Sequence, residues 1–231
     1  MIKETINKLH SELPATVKLV AVSKFHPFEA IEEAYAAGQR LFAESRPQEL
    51  LAKVKRLEEI RAERGEPDYM ADVEWHFIGH LQTNKLKMVL PYVSLVQSVD
   101  SLRLLEAINS WGFANGMKIN VLLEPHVAAE ETKQGFYQSE IMDILSDAEK
   151  YSNIRFKGIM GMATFTEDEN IIRSDFGRLR DIHNEAVESF PRLARDFTEL
   201  SIGMSDDYRI AVEYGSTMVR IGSMIFGIRQ Y

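Results

Sequence analysis

The regular alternation of short apolar runs with longer amphipathic stretches constrains the fold of this chain most. Eight runs rich in Val, Ile, Leu and Phe are typical of buried parallel strands. They are Lys18–Ser23, Arg40–Glu44, Glu74–Gly79, Leu95–Ser98, Lys118–Glu124, Phe156–Ala163, Leu200–Gly203 and Met218–Gly222. Helix-forming stretches separate them: Phe28–Ala37, Pro47–Arg64, Asn84–Leu90, Ser101–Trp111, Ser139–Tyr151, Asn170–Phe190 and Asp207–Tyr214. The segment up to Glu12 predicts an extra helix before the first strand.

Strict alternation of strand and helix implies parallel pairing through right-handed crossovers. Eight such units predict an α/β fold, a single (β/α)8 TIM barrel with an extra N-terminal helix. An open doubly wound sheet is the alternative. The 231 residues suit one barrel and contain no low-complexity linker, so we expect one domain spanning 1–231.

Composition excludes several classes of function. The chain has no cysteine, which removes disulfides, thiolate zinc sites and cysteine nucleophiles. Its net charge of -8 argues against broad nucleic-acid binding, which needs a basic surface. The N-terminus has no apolar signal core, and no run approaches the roughly 18 apolar residues of a membrane span. We therefore expect a cytoplasmic protein that binds neither nucleic acid nor membranes.

Lys24 is the first candidate site residue, because it ends the first apolar run. Barrels carry their chemistry at the C-terminal ends of their strands. A lysine that loses solvent there can lower its pKa and act as an amine nucleophile toward a carbonyl. The alternative is a solvated lysine that merely ends a strand.

The last two strand ends predict an anion site. Ser205 follows the seventh strand, and Gly222 and Ser223 follow the eighth, where barrels often bind phosphate. Arg220 lies inside the eighth strand amid apolar neighbours, a costly place for a cation unless it is paired or bound to something. Ordinary turn glycines and a helix cap are the alternative.

His76 and His80 resemble a metal-binding pair, but four residues along a strand span about 13 Å, too far for one ion. We therefore predict no metal, and expect a histidine at the barrel mouth instead. The glycine spacing matches neither a dinucleotide fingerprint nor a phosphate-binding loop.

Specific motifs are spread along the chain: Val20–Lys24, Trp75–Gly79 with Leu81–Lys85, Leu200–Asp207 and Gly215–Ser223. Together they resemble the pyridoxal phosphate homeostasis protein family, single-domain barrel relatives of alanine racemase. The resemblance implies an alanine racemase N-terminal domain-like fold and pyridoxal 5'-phosphate as cofactor. It implies that Lys24 forms a Schiff base with the cofactor aldehyde and that Arg220 faces the pyridine nitrogen. Ser205, with the Gly222 and Ser223 backbone, would hold the phosphate.

Three segments depart from the family pattern. Phe42-Ala43-Glu44-Ser45 stands where the family usually has Phe-Gly-Glu-Asn, and His80 replaces a proline. Glu124-Pro125-His126 ends the fifth strand, where an asparagine is usual. These changes affect contacts to the cofactor ring and leave the lysine and the phosphate site untouched.

The resemblance and the charge of Arg220 favour a non-catalytic carrier of pyridoxal 5'-phosphate that supplies apo pyridoxal enzymes. A cation about 4 Å from the ring nitrogen would oppose its protonation by about 4 kcal/mol at an effective dielectric of 20. Pyridoxal enzymes use the protonated ring to withdraw electrons during catalysis, so the cation would weaken that function. The racemases add a tyrosine from a second domain, whereas this sequence ends at Tyr231, so we expect no such domain and a monomer. A racemase with a reduced barrel is the alternative. A sugar-phosphate isomerase that uses Lys24 is a third hypothesis.

Overall fold

Eight parallel strands close into a barrel in the computed structural model, which describes residues 1–127 and 135–227. Each strand pairs with the next, and the first pairs with the eighth in register from Lys18↔Met218 to Ala21↔Ile221. The prediction of a closed (β/α)8 barrel is confirmed. The strands are β1 (Lys18–Val22), β2 (Leu41–Glu44), β3 (Glu74–Phe77), β4 (Leu95–Val99), β5 (Ile119–Leu123), β6 (Ile154–Met160), β7 (Glu199–Ser201) and β8 (Met218–Ile221).

Helices cover the outside of the barrel. They are α1 (Ile2–Glu12), α2 (Phe28–Ala36), α3 (Pro47–Arg64), α4 (Leu102–Asn115), α5 (Gln138–Ser146), α6 (Glu169–Ser189), α7 (Tyr208–Glu213) and α8 (Ser223–Phe226). The extra N-terminal helix is therefore present. The chain end at Tyr231 lies outside the described residues.

Two predicted helices differ from the structure. The α-helix expected over Asn84–Leu90 is a 3₁₀ helix, Thr83–Met88. Pro91 follows closely and disfavours the α conformation of Leu90, so this segment ends after a short 3₁₀ piece. The expected helix Ser139–Tyr151 is α5 followed by a separate 3₁₀ turn, Ala148–Lys150.

The barrel strands are buried on both faces, which explains their nearly continuous apolar runs. Outward side chains join a large core with the helices. Inward side chains form a smaller cluster: Val20, Val22, Ala43, Leu95, Leu122, Met160 and Met218.

Helix α3 packs on the barrel through a buried stripe of Leu50, Lys53, Leu57 and Ile60. Spacings of three and four residues place these side chains on one face of the helix. The stripe therefore carries a lysine into the core.

Within the two described ranges, the helices lack the combination of length and apolar character needed to cross a bilayer.

Candidate functional site

A cavity of about 280 Å³ opens at the C-terminal ends of the strands. It brings together all five predicted site residues: Lys24, Ser205, Arg220, Gly222 and Ser223. Residues more than 190 positions apart in sequence meet there because β1 pairs with β8. The roles given to these residues remain predictions.

The backbone just before Lys24 is held by a buried ion pair. Lys53 Nζ donates to the Ser23 carbonyl at 2.7 Å and to Glu44 Oε1 at 2.5 Å. The Ser23 hydroxyl donates to the same Glu44 oxygen at 2.6 Å. Burial raises the pKa of the Glu44 carboxyl, while the charge of Lys53 and its hydrogen bond oppose that shift. The end of β1 is thus fixed to β2 and α3.

The backbone just after Lys24 is held as well. The Phe25 amide donates to Glu49 Oε2 at 2.8 Å. Phe25 has a φ of 67°, a left-handed conformation that non-glycine residues seldom adopt. The contacts of Ser23 and Phe25 therefore fix both sides of Lys24, whose own side chain is half-buried and lines the cavity.

Arg220 reaches the cavity from inside the barrel and is 5% exposed. Its Nη1 donates to the Ser201 carbonyl at 2.6 Å and to the Ser201 hydroxyl at 2.8 Å, and its Nη2 donates to the Gly161 carbonyl at 2.9 Å. Burial lowers the pKa of Arg220 to about 10, and the charges of Glu124 and Asp207 oppose the shift. The guanidinium is therefore a cation at neutral pH, and it is hydrogen-bonded to neutral oxygens.

Two hydroxyl groups face each other on one lip of the cavity, which we call the phosphate lip. Ser223 Oγ donates to Ser205 Oγ at 3.0 Å, joining the loops after β7 and β8. Ser223 also begins α8, where the first backbone hydrogen bonds run from the Ile225 and Phe226 amides to the Gly222 carbonyl. The N–H groups of Ser223 and Met224 precede these bonds and face the start of the helix. This lip offers the donors that a phosphate needs.

Two glycines shape this lip for different reasons. Gly203 has a φ of 96°, and a Cβ there would lie 2.6 Å from the Cβ of Ala211. Gly222 has an ordinary φ of -121°, but a Cβ would lie 3.1 Å from the Val22 carbonyl oxygen. The predicted close approach of the Gly222 backbone to a ligand stays a prediction, and the structure shows in addition that Gly222 lets β8 approach β1.

The remaining wall of the cavity is largely apolar and was not predicted. Val22, Ile78, Met160, Met162 and Met204 line it. A flat aromatic ring suits such a wall, since ligand pockets combine apolar linings with a few polar groups. The His26 ring lies against that of Phe226, with centroids 5.2 Å apart and planes tilted by 30°, and burial lowers the pKa of His26. The cavity as a whole fits an aromatic aldehyde that carries a phosphate.

The segments that depart from the family pattern surround this mouth. His80 Nδ1 lies 3.0 Å from Asp100 Oδ2, and both residues line a larger cavity of about 760 Å³. The Ser45 carbonyl lies so close to Gly79 that a Cβ there would meet its oxygen at 2.0 Å. His126 Nδ1 is buried and makes no hydrogen bond within the part of the chain described.

The two histidines considered for a metal separate into different environments. His76 lies inside the barrel, where its Nδ1 is 2.7 Å from Gln97 Nε2. His80 is at the mouth with Asp100. Across residues 1–127 and 135–227, we find no group of three or more His, Asp or Glu side chains with metal-binding geometry.

Comparisons with known proteins agree with this geometry. The family model for the alanine racemase N-terminal domain matches residues 1–230. A pyridoxal phosphate homeostasis protein from Aquifex aeolicus is 35% identical over 218 residues, covering 93% of this chain and 88% of the relative. The human protein of the same name is 36% identical over 238 residues, covering 100% and 83%. This chain belongs to the pyridoxal phosphate homeostasis protein family.

Solved structures support the family assignment. PipY of Synechococcus elongatus, solved with pyridoxal phosphate bound, is 33% identical with a TM-score of 0.85, covering 98% of this chain and 100% of PipY. Alanine racemase from Enterococcus faecalis is 17% identical with a TM-score of 0.72, covering 98% of this chain and 57% of the racemase. The second match shows the shared barrel fold alone. The resemblance to the family and the racemase-like barrel, both predicted from sequence, are confirmed.

Proposed function

We propose that this protein binds pyridoxal 5'-phosphate reversibly and serves pyridoxal phosphate homeostasis as a non-catalytic carrier. One observation carries the proposal: an amine, a buried cation and a pair of hydroxyls open onto one cavity. Its similarity to PipY, a protein solved with pyridoxal phosphate bound, supports the same ligand.

Each of the five predicted site residues has a role toward that ligand. When bound, pyridoxal 5'-phosphate would supply an electrophilic aldehyde and a phosphate. Lys24 provides the amine that bonds the aldehyde carbon. The Ser205 hydroxyl and the backbone at Gly222 and Ser223 donate to the phosphate. Arg220 presents its guanidinium to the ring nitrogen.

The charge of Arg220 favours holding over catalysis. Enzymes that use the pyridine ring as an electron sink benefit from a protonated ring nitrogen. Arg220 is a cation at neutral pH, since its pKa is lowered only to about 10. A cation facing the ring nitrogen opposes its protonation, so it weakens the sink without weakening the bond to Lys24.

Absorption spectroscopy tests the proposal. Addition of pyridoxal 5'-phosphate should produce the visible band of a covalent lysine adduct in the wild type. Lys24→Ala should lose the band, whereas the control Lys87→Ala, an exposed lysine, should keep it. An undiminished band in Lys24→Ala would overturn the assignment of the amine.

Exchange of the α-hydrogen of amino acids distinguishes a carrier from a racemase. In deuterated water, the loaded protein should exchange the α-hydrogen of added amino acids no faster than free pyridoxal 5'-phosphate does. Rapid exchange across several amino acids would reject the carrier reading.

We further propose that the carrier is a cytoplasmic monomer whose single domain spans 1–231, and that its recipients are apo pyridoxal enzymes. Mixing the loaded protein with an apo-enzyme should restore the activity of that enzyme. Activity should be restored even when an added amine is present to trap any free cofactor. Sedimentation should give one species near 26.4 kDa.

A further inference from the structure

A line of polar side chains crosses the otherwise apolar interior of the barrel. Arg220 Nη1 donates to Ser201 Oγ at 2.8 Å, and Ser201 Oγ donates to Gln97 Oε1 at 2.7 Å. Gln97 Nε2 then lies 2.7 Å from His76 Nδ1. All four residues are buried, with exposed fractions between 0% and 5%. We call these four residues the interior relay.

Donor and acceptor chemistry gives the interior relay one direction. A guanidinium can only donate, so the Ser201 oxygen accepts from Arg220. The single hydroxyl proton of Ser201 is then directed to Gln97 Oε1. That leaves the amide Nε2–H of Gln97 to face His76, whose Nδ1 must accept. The neutral imidazole therefore carries its proton on Nε2.

The interior relay joins two ends of the molecule. Arg220 lines the ligand cavity at the C-terminal ends of the strands. His76 lines a separate cavity of about 450 Å³ at their N-terminal ends, with Lys18 and Glu74. Buried polar groups are costly unless each is satisfied, and a fully satisfied network is rigid. Its continuity over four strands indicates a function beyond packing.

We propose that Ser201 and Gln97 are positioning residues that hold the guanidinium of Arg220 toward the ligand cavity, with His76 as the terminal acceptor. The inference deepens the proposed function and rests on it, because a bound pyridine ring is what Arg220 would meet. Three N–H groups of Arg220 are engaged by Ser201 and Gly161. The guanidinium has five, and among residues 1–127 and 135–227 one on Nη2 and the one on Nε have no acceptor, so these two can meet a ligand.

Other charged groups around the cavity would also influence the pKa of a bound ring nitrogen, so each variant must be compared with the wild type. Lys24, His26 and Asp206 line the cavity, and the charges of Glu124 and Asp207 act on Arg220. Variants of the interior relay leave these five groups in place. Differences between a variant and the wild type therefore report on Arg220.

Nitrogen NMR of the histidines tests the direction without any cofactor. At neutral pH, His76 of the wild type should show an unprotonated Nδ1 and a protonated Nε2. Gln97→Glu replaces the amide donor with a carboxylate, so Nδ1 should become protonated. A protonated Nδ1 in the wild type would overturn the direction of the relay, whether or not Gln97→Glu folds.

The spectrum of the loaded protein tests the positioning role. Ser201→Ala removes the hydroxyl, one of the three acceptors of the guanidinium, and leaves the Ser201 and Gly161 carbonyls in place. The guanidinium is then held less firmly, which should raise the pH midpoint of the bound ring nitrogen by about one unit. Ser201→Thr keeps a hydroxyl and should restore the wild-type midpoint. Ser98→Ala is the matched control, since Ser98 is buried on the same strand as Gln97 but donates to the Gly79 carbonyl. Identical midpoints in Ser201→Ala and the wild type would overturn the proposal.

The two proposals fail in different ways. If the wild type forms no lysine adduct, the proposed function is wrong and the positioning role falls with it. If the wild type forms the adduct and Ser201→Ala titrates unchanged, the proposed function stands and the interior relay is only structural.

Discussion

Two buried cations in this barrel have opposite surroundings. Lys53 donates to a carbonyl and to the buried carboxylate of Glu44, so its charge is compensated. Arg220 donates to two carbonyls and a hydroxyl, all of them neutral. The comparison teaches that similar burial can serve different ends. The Lys53 pair fixes backbone, whereas Arg220 leaves positive potential in the cavity for an anionic ligand.

Removal of Lys53 should give the largest effect on stability. Lys53→Met leaves the buried charge of Glu44 without its partner, so the free energy of unfolding should fall by about 3–5 kcal/mol. Urea denaturation of the protein without cofactor measures the change. The double variant Lys53→Met with Glu44→Gln should recover most of it, because no lone charge remains. No recovery in the double variant would mean that the pair does not act as a charge-compensated unit.

Removal of Arg220 should act on binding more than on stability. Arg220→Met should weaken retention of pyridoxal 5'-phosphate by about 2–5 kcal/mol, as for loss of a buried charged partner. Equilibrium dialysis measures it, and Arg220→Glu should in addition raise the pKa of the ring nitrogen and change the spectrum. Wild-type retention in Arg220→Met, or an unchanged spectrum in Arg220→Glu, would show that Arg220 does not contact the ligand.

The phosphate lip should give a smaller loss. Ser205→Ala removes one hydroxyl donor and should weaken retention by about 1–3 kcal/mol. Ser152→Ala, an exposed serine on the connection between β5 and β6, serves as the control. Equal affinities for the two variants would place the phosphate elsewhere.

The interior relay predicts that the folded protein loses stability at acid pH. Burial lowers the pKa of His76 from 6.5 to about 3. Between these two pH values the unfolded chain binds a proton at this histidine, whereas the folded protein does not. Stability from this group is present above pH 6.5 and is lost as pH falls toward 3, by at most about 1.4 kcal/mol per pH unit. Urea midpoints at pH 6.5, 5.5 and 5.0 should fall less steeply for His76→Gln than for the wild type. Parallel slopes would place the acid sensitivity in other groups.

Much of the barrel and its ligand end could be predicted from the sequence. Strand–helix alternation gave all eight strands, and parallel strands must end on the same side, which placed Lys24 near Ser205 and Arg220. The helix at Asn84–Leu90 was wrong because the hydrophobic pattern does not separate α from 3₁₀ geometry in so short a segment.

The residues that support Lys24 and Arg220 were not predicted, although two of them interrupt an apolar pattern in the sequence. Lys53 occupies an apolar position on the stripe of α3, and Gln97 interrupts the apolar run of β4. Which partner each side chain meets depends on the register of strands that are distant in sequence. The interior relay joins Gln97 to Ser201, 104 residues away, and local patterns do not contain that pairing.

Trapping the adduct tests the central claim most directly. The protein is loaded with pyridoxal 5'-phosphate, reduced with borohydride, digested and examined by mass spectrometry. We predict one modified lysine, Lys24, with Lys53 unmodified because it is buried against Glu44. Modification at another lysine in place of Lys24, or at none, would contradict the account.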